Sequence, residues 1–139
     1  MTQTFIRLDG WEARLLDAIG AHLSAPFAYG ASDCFALSMD AIKAVTGVDP
    51  YAEDRASYST AHGAAKRLAR RGFATLEDAM DALFEPVPQS LARRGDIATI
   101  MAGDGPALAV VIGGEFISKA ETGIMRHPLW MAMKTWRVG

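Results

Sequence analysis

Apolar residues recur with a helical period through the first half of the chain. Trp11, Leu15, Leu16, Ile19 and Leu23 fall at helical spacing, and Pro26 ends that segment. A second helix is expected from Cys34 to about Val45, with Ser32 or Asp33 as its N-cap, Leu37, Ile42 and Val45 on its apolar side and Gly47 as its stop. Asp49-Pro50 opens a polar loop that runs through Tyr58. Thr60 to Arg71 reads as a third helix closed by Gly72. Thr75-Leu76-Glu77-Asp78 caps a fourth, with Leu76, Ala79, Met80, Leu83 and Phe84 as its apolar positions and Pro86 and Pro88 ending it.

The period then changes to that of strands. Arg94-Gly95-Asp96 turns into Ile97–Met101, and Gly103-Asp104-Gly105-Pro106 makes a second turn. Leu108–Ile112 is an unbroken apolar run, the pattern of a central strand. Gly113-Gly114 is a two-residue hairpin loop into Glu115–Ser118. Gly123–Met125 and Lys134–Val138 are further short strands. Helices over about residues 1–90 followed by antiparallel strands over about 91–139 predict a single α+β domain.

Composition narrows the function classes. The chain has 139 residues, half of them hydrophobic, and a net charge of -2. That is enough apolar material for one core, and too little net charge to draw the protein to nucleic acid or to an acidic membrane. The single cysteine excludes an intramolecular disulfide and fits a reducing compartment. The longest apolar stretch, Pro106–Ile112, is far short of the ~20 residues of a membrane-spanning helix. Met1-Thr2-Gln3-Thr4-Phe5 lacks the basic and apolar regions of a signal peptide, so secretion by its own signal is not expected.

The candidate chemistry centres on Cys34. A helix N-terminus favours the thiolate, because its unpaired N–H groups prefer negative charge, and the same groups suit an oxyanion. The adjacent Asp33 works against a second anion and is better used as a helix cap. The competing reading is a small buried hydrophobe, the usual fate of a lone cysteine. No His, Cys, Asp and Glu spacing points to a metal site, and Gly103-Asp104-Gly105 lacks the helix and lysine of a phosphate loop, so no cofactor is expected. Lys66-Arg67-Leu68-Ala69-Arg70-Arg71 reads as a solvated helix end.

Three segments carry a resemblance. Phe27-Ala28-Tyr29-Gly30 followed by Asp33-Cys34 resembles the aromatic-Gly and Asp-Cys entry of NlpC-type cysteine peptidases. Gly95-Asp96-Ile97 looks like their Gly-Asp turn, and Leu108 to Ile117 like their second strand, hairpin and third strand. The resemblance implies a papain-like core, Cys34 in the place of the nucleophile, the Tyr29 hydroxyl near the oxyanion, and peptidoglycan stem peptides as the family's usual substrate. It also implies a histidine base at the start of the second core strand. Ala107, or Leu108 with a one-residue slip, stands there, and neither side chain carries a proton. The residue that would orient the base falls near Ser118. Of the histidines present, His22 is expected at the surface of the first helix and His62 in an exposed first turn. His127 sits on a late strand two places from the required one, the remaining candidate base.

Two functions follow. The short chain and its Trp136-Arg137-Val138 ending resemble small proteins of tailed phages and prophages. The first expectation is therefore a tail-associated protein, cytoplasmic before assembly, that keeps a degenerate peptidase fold for binding tail-tip or hub proteins. The alternative is an active cell-wall hydrolase using Cys34. Leu129 to Trp136 is rich in large apolar groups and is either core edge or interface. Trp130, Met131, Met133 and Trp136 cannot all face inward from one extended segment, so Trp130, Met131 and Trp136 are candidate partner contacts.

Overall fold

A computed structural model describes residues 4–55, 57–102 and 105–139. The expected turn at Gly103-Asp104 lies outside the described residues, as do Met1, Thr2 and Gln3. Helices α1 (Trp11–Ser24), α2 (Cys34–Thr46), α3 (Ala52–Arg55), α4 (Ala61–Arg70) and α5 (Leu76–Asp81) precede strands β1 (Pro86–Val87), β2 (Ile97–Ala102), β3 (Gly105–Val111), β4 (Glu115–Ala120), β5 (Gly123–Pro128) and β6 (Lys134–Trp136). The expected α+β order holds.

On α1, Leu15, Ile19 and His22 form the buried stripe. Leu16 and Leu23, expected on the apolar face, lie about 80–100° from it at 100° per residue and are exposed. His22, expected at the surface, is buried. Helix α2 is the centre of the molecule, packed between α1 and the sheet, and Leu37, Met39, Ile42 and Val45 are fully buried. The segment expected as a polar loop contains α3, one turn held by the Asp54 N–H donating to the Tyr51 carbonyl at 3.0 Å. Thr75 closes a capping box with Asp78 at the start of α5.

The strands form one antiparallel sheet in the order β1-β6-β2-β3-β4-β5. The last strand in sequence thus inserts beside β2, and Pro86 sits on the edge strand, where a missing N–H costs no ladder bond. Alternation divides the sheet into two faces. Ile97, Leu108, Val110, Ile117 and Trp136 face the helices. Ala98, Ile100, Ala109, Val111 and Phe116 form a second cluster on the other face, covered by Leu129 and Ala132. Trp136 is 0% exposed and its indole N–H donates to Asp81 at 2.9 Å, so it is core and not a partner contact.

The Gly-Asp turn ties the two ends of the chain together. Gly95 has φ 91°, and a Cβ there would lie 3.0 Å from the Arg7 guanidinium and 3.3 Å from Val45. The buried Asp96 carboxylate accepts from Arg7 at 2.9 Å, Arg137 at 3.2 Å, and the N–H groups of Arg93 at 2.9 Å and Val138 at 3.0 Å. All of its lone pairs are used for structure.

Candidate functional site

The site begins with a tight loop before α2. Ala28 and Ser32 form an isolated bridge, which brings Gly30 to φ 80°. A Cβ on Gly30 would meet the carbonyl oxygens of Tyr58 at 2.5 Å and Arg55 at 2.7 Å, so only glycine lets this loop lie against the backbone of Arg55 and Tyr58. Asp33 then caps α2. One carboxylate oxygen accepts from the Ala36 N–H at 2.7 Å; the other accepts from the Gly30 N–H at 2.9 Å and the Tyr58 hydroxyl at 2.7 Å. Asp33 therefore acts as a cap and anchor, as its sequence position suggests.

Cys34 is the first residue of α2 and lines a cleft of about 730 Å³. Burial pushes its thiol up to about 11 and the Asp33 charge adds to this, outweighing the N–H groups of Leu108, Phe35 and Cys34 itself, which act in the opposite direction. At pH 7 a pKa near 11 leaves about one thiolate in 10⁴. The expected activation by the helix N-terminus is present but loses to desolvation.

Strand β3 faces this cysteine. Pro106 and Ala107 line the same cleft, but the Ala107 side chain packs on the far cluster, so the β3 side chains turned to the helices are Pro106 and Leu108, and neither accepts a proton. The histidines are elsewhere. His22 has its ring nitrogens 2.8 Å from Ser32 Oγ and 2.6 Å from Asp40 Oδ2. His62 is exposed on α4, as expected. His127 is on β5, two strands from β3, paired with Phe116 and with its ring 5.8 Å from the Phe116 ring. Phe116 belongs to the face of the sheet turned away from α2, so His127 is on the wrong side to serve Cys34. This corrects its candidacy as a base.

Two other expected positions also shift. The Tyr29 hydroxyl is 2.8 Å from Glu121 and donates to it; the hydroxyl at the helix start is that of Tyr58. Ser118 donates to the Leu108 carbonyl at 2.7 Å and pairs with Met125, which packs on the far cluster. The polar residue of β4 on the helix side is Lys119. Its ammonium donates to the carbonyls of His22 and Ala25, each at 2.6 Å, and to Ser32 Oγ at 2.5 Å. It thereby closes the C-terminal end of α1 against the cysteine loop. Phe116 and Ile117 are both buried, so period-two alternation alone does not choose between Ser118 and Lys119.

Behind this loop, Asp40 joins His22 to Arg55, which also contacts Asp49 at 2.8 Å. Burial alone would raise the Asp40 carboxyl, but the hydrogen bonds and charges of His22 and Arg55 hold it at about 2. Asp54 receives Arg67 and Arg71, each at 2.6 Å, so part of the basic run anchors α4 to α3 instead of facing solvent. Among the described residues no group of three or more His, Cys, Asp or Glu side chains is placed to hold a metal ion, and no helix is long and apolar enough to cross a membrane.

On the opposite side, Trp130 is 72% exposed, with Met131 at 44% and Met133 at 46%. The Gln89 side-chain amide fixes their turn by donating to the carbonyls of Trp130 at 3.0 Å and Ala132 at 2.8 Å.

Fold and site together define an α+β domain with a helix-initial cysteine that, among the described residues, has no histidine facing it. The chain belongs to the family described as a domain of unknown function (DUF6950), whose model matches residues 6–138. No curated protein matches the chain significantly.

Proposed function

We propose that the protein is a catalytically silent relative of the NlpC-type cysteine peptidases that acts by binding another protein, a tail-tip or hub component of a phage or prophage particle. The observation that carries the silent half is the wall facing Cys34. Pro106 and Leu108 are the β3 side chains turned to it, and the thiol is held up at about 11. General-base catalysis is typically worth about 10²–10⁴-fold, and nothing in this wall supplies it. The papain-like frame is supported by Cys34 opening the buried central helix and by the β3 N–H of Leu108 directed at its sulfur. The binding half is supported by the exposed Trp130, since a tryptophan held on a fixed turn is a good interface anchor. The tail assignment, and with it a place on the virion, is supported by the resemblance to small phage proteins.

The test has two arms. Purified protein incubated with peptidoglycan or its stem peptides is expected to release no more product than a Cys34→Ala control. Turnover lost in Cys34→Ala and in one histidine variant would overturn the silent assignment. In binding assays against tail-tip and hub proteins, Trp130→Ala is expected to weaken association by about 2 kcal/mol or more, the scale of an interface hot spot. Undiminished binding removes Trp130 from the interface, and binding to no tail component removes the tail assignment.

A further inference from the structure

The cleft at Cys34 has features that peptide hydrolysis does not use and that the Trp130 surface does not explain. Its roof is α4, a strongly amphipathic helix none of whose residues is buried. The apolar positions Ala61, Ala64, Ala65 and Leu68 line the cleft. Helices in small domains are normally stabilised by burying such a stripe in the core. Here Leu68 packs on the edge of the core while Ala61, Ala64 and Ala65 border open space, and α4 is fastened by Leu68, by its Thr60 cap and by Arg67 and Arg71 on Asp54. The cleft is also lined by the half-buried rings of Phe35, Tyr58 and Phe73 and, from β3, by Pro106 and Ala107.

The charges lining the cleft decide what it can hold. Among the described residues, Asp33, Asp54 and Glu121 are balanced in number by Arg67, Arg71 and Lys119. Each has a partner within the protein: Tyr58 for Asp33, the two arginines for Asp54, Tyr29 for Glu121, and Ser32 with two carbonyls for Lys119. An anionic ligand entering here would lose its water and find both arginines on Asp54 and the three Lys119 N–H groups already donated, a large penalty. An uncharged apolar molecule would gain contact with the alanine stripe and the rings. The volume of about 730 Å³ lies within the roughly 300–1,000 Å³ of small-molecule sites.

We infer that the cleft between α4 and the start of α2 is a binding site for an uncharged, apolar small molecule of about the size of a medium-length acyl chain. This holds whether or not the Trp130 face binds a tail protein, because the two surfaces are separate.

The experiment is a fluorescence titration of the full chain with the neutral dye N-phenyl-1-naphthylamine, competed with 1-dodecanol and with dodecanoate. One saturable site is expected, with dodecanol displacing the dye at a concentration at least about tenfold below that of dodecanoate. Ala64→Trp fills the cleft from α4 and Pro106→Phe from β3; each is expected to weaken dye binding by about tenfold or more. Ala64 is on a helix with nothing buried, so this variant keeps the fold, checked by circular dichroism, and it decides the matter if Pro106→Phe does not fold. Trp130→Ala is expected to leave dye binding unchanged. Absence of saturable binding overturns the inference. So does binding abolished by Trp130→Ala but retained by Ala64→Trp, which would place the dye on the exposed patch. Equal competition by dodecanoate would overturn the uncharged class.

Discussion

The two ends of helix α2 each meet a buried aspartate, yet one end is sealed and the other is open. At the C-terminal end, the Leu8 N–H donates to the Val45 carbonyl at 3.0 Å, the Arg14 guanidinium donates to the Ala44 carbonyl at 3.0 Å, and Gly95 brings the chain against Val45. Asp96 is neutralised there by Arg7 and Arg137. At the N-terminal end, Asp33 is held by two backbone N–H groups and the Tyr58 hydroxyl, all neutral donors. Its negative charge therefore remains beside Cys34 and helps hold the thiol protonated. Guanidinium groups close one end around both chain termini, while neutral donors leave the other facing a cleft. A buried carboxylate is thus compatible with either a clamp or a cavity wall, and the identity of its donors decides which.

The largest effect should come from removing the clamp. Asp96→Ala leaves Arg7, Arg137 and two N–H groups without their acceptor, and is expected to cost about 3–5 kcal/mol in urea unfolding. A loss below 1 kcal/mol would show that the termini are held by other contacts.

The open end should respond to alkali. A cysteine ordinarily titrates near 8.5, and Cys34 in the fold is held at about 11. Its folded pKa is the higher one, so its contribution is fully present below about pH 8.5 and is lost as pH rises through about 11. The wild type is expected to lose of order 3 kcal/mol more than Cys34→Ala across that window. The same protonation predicts slower alkylation at pH 7 than for a free cysteine. Equal pH profiles for the two proteins, or fast alkylation, would show that the sulfur is solvated.

Exchanging the charge at the open end tests the contrast directly. Asp33→Asn keeps one cap acceptor but sets an amide against the Gly30 N–H, an expected cost of about 1–3 kcal/mol. It should also bring the Cys34 thiol below about 11, read from the pH dependence of alkylation. An unchanged thiol would mean that burial alone holds it. The smallest effect is expected at the surface: Trp130→Ala should change monomer stability by no more than about 0.5 kcal/mol, since the ring contributes little to the core. A larger loss would make Trp130 structural and weaken its role as an anchor.

Local signals carried much of the site. Asp33 caps α2, Cys34 is its first residue, and β2, β3 and β4 are neighbours in one sheet, as the Gly-Asp turn, the apolar run and the Gly-Gly loop imply. Each of these depends on backbone chemistry within a few residues. The placement of His127 two strands from β3 also follows from hairpin order, but its side of the sheet depends on register, which only the pairing with Phe116 reveals. The same limit applies to Trp130 and Trp136. The segment could be read as unable to bury every large residue, yet which one turns inward depends on β6 inserting beside β2.

By itself the sequence determined the α+β order, the capped helix that starts at Cys34, and the absence of a proton acceptor at Ala107, because these are properties of neighbouring residues and of side-chain type. Only the tertiary structure decided that His22 is buried against Ser32 and Asp40, that Lys119 closes the cysteine loop, and that the thiol is raised rather than lowered. Those outcomes depend on desolvation and on partners between 10 and 97 positions away in the chain, and neither is written in local pattern.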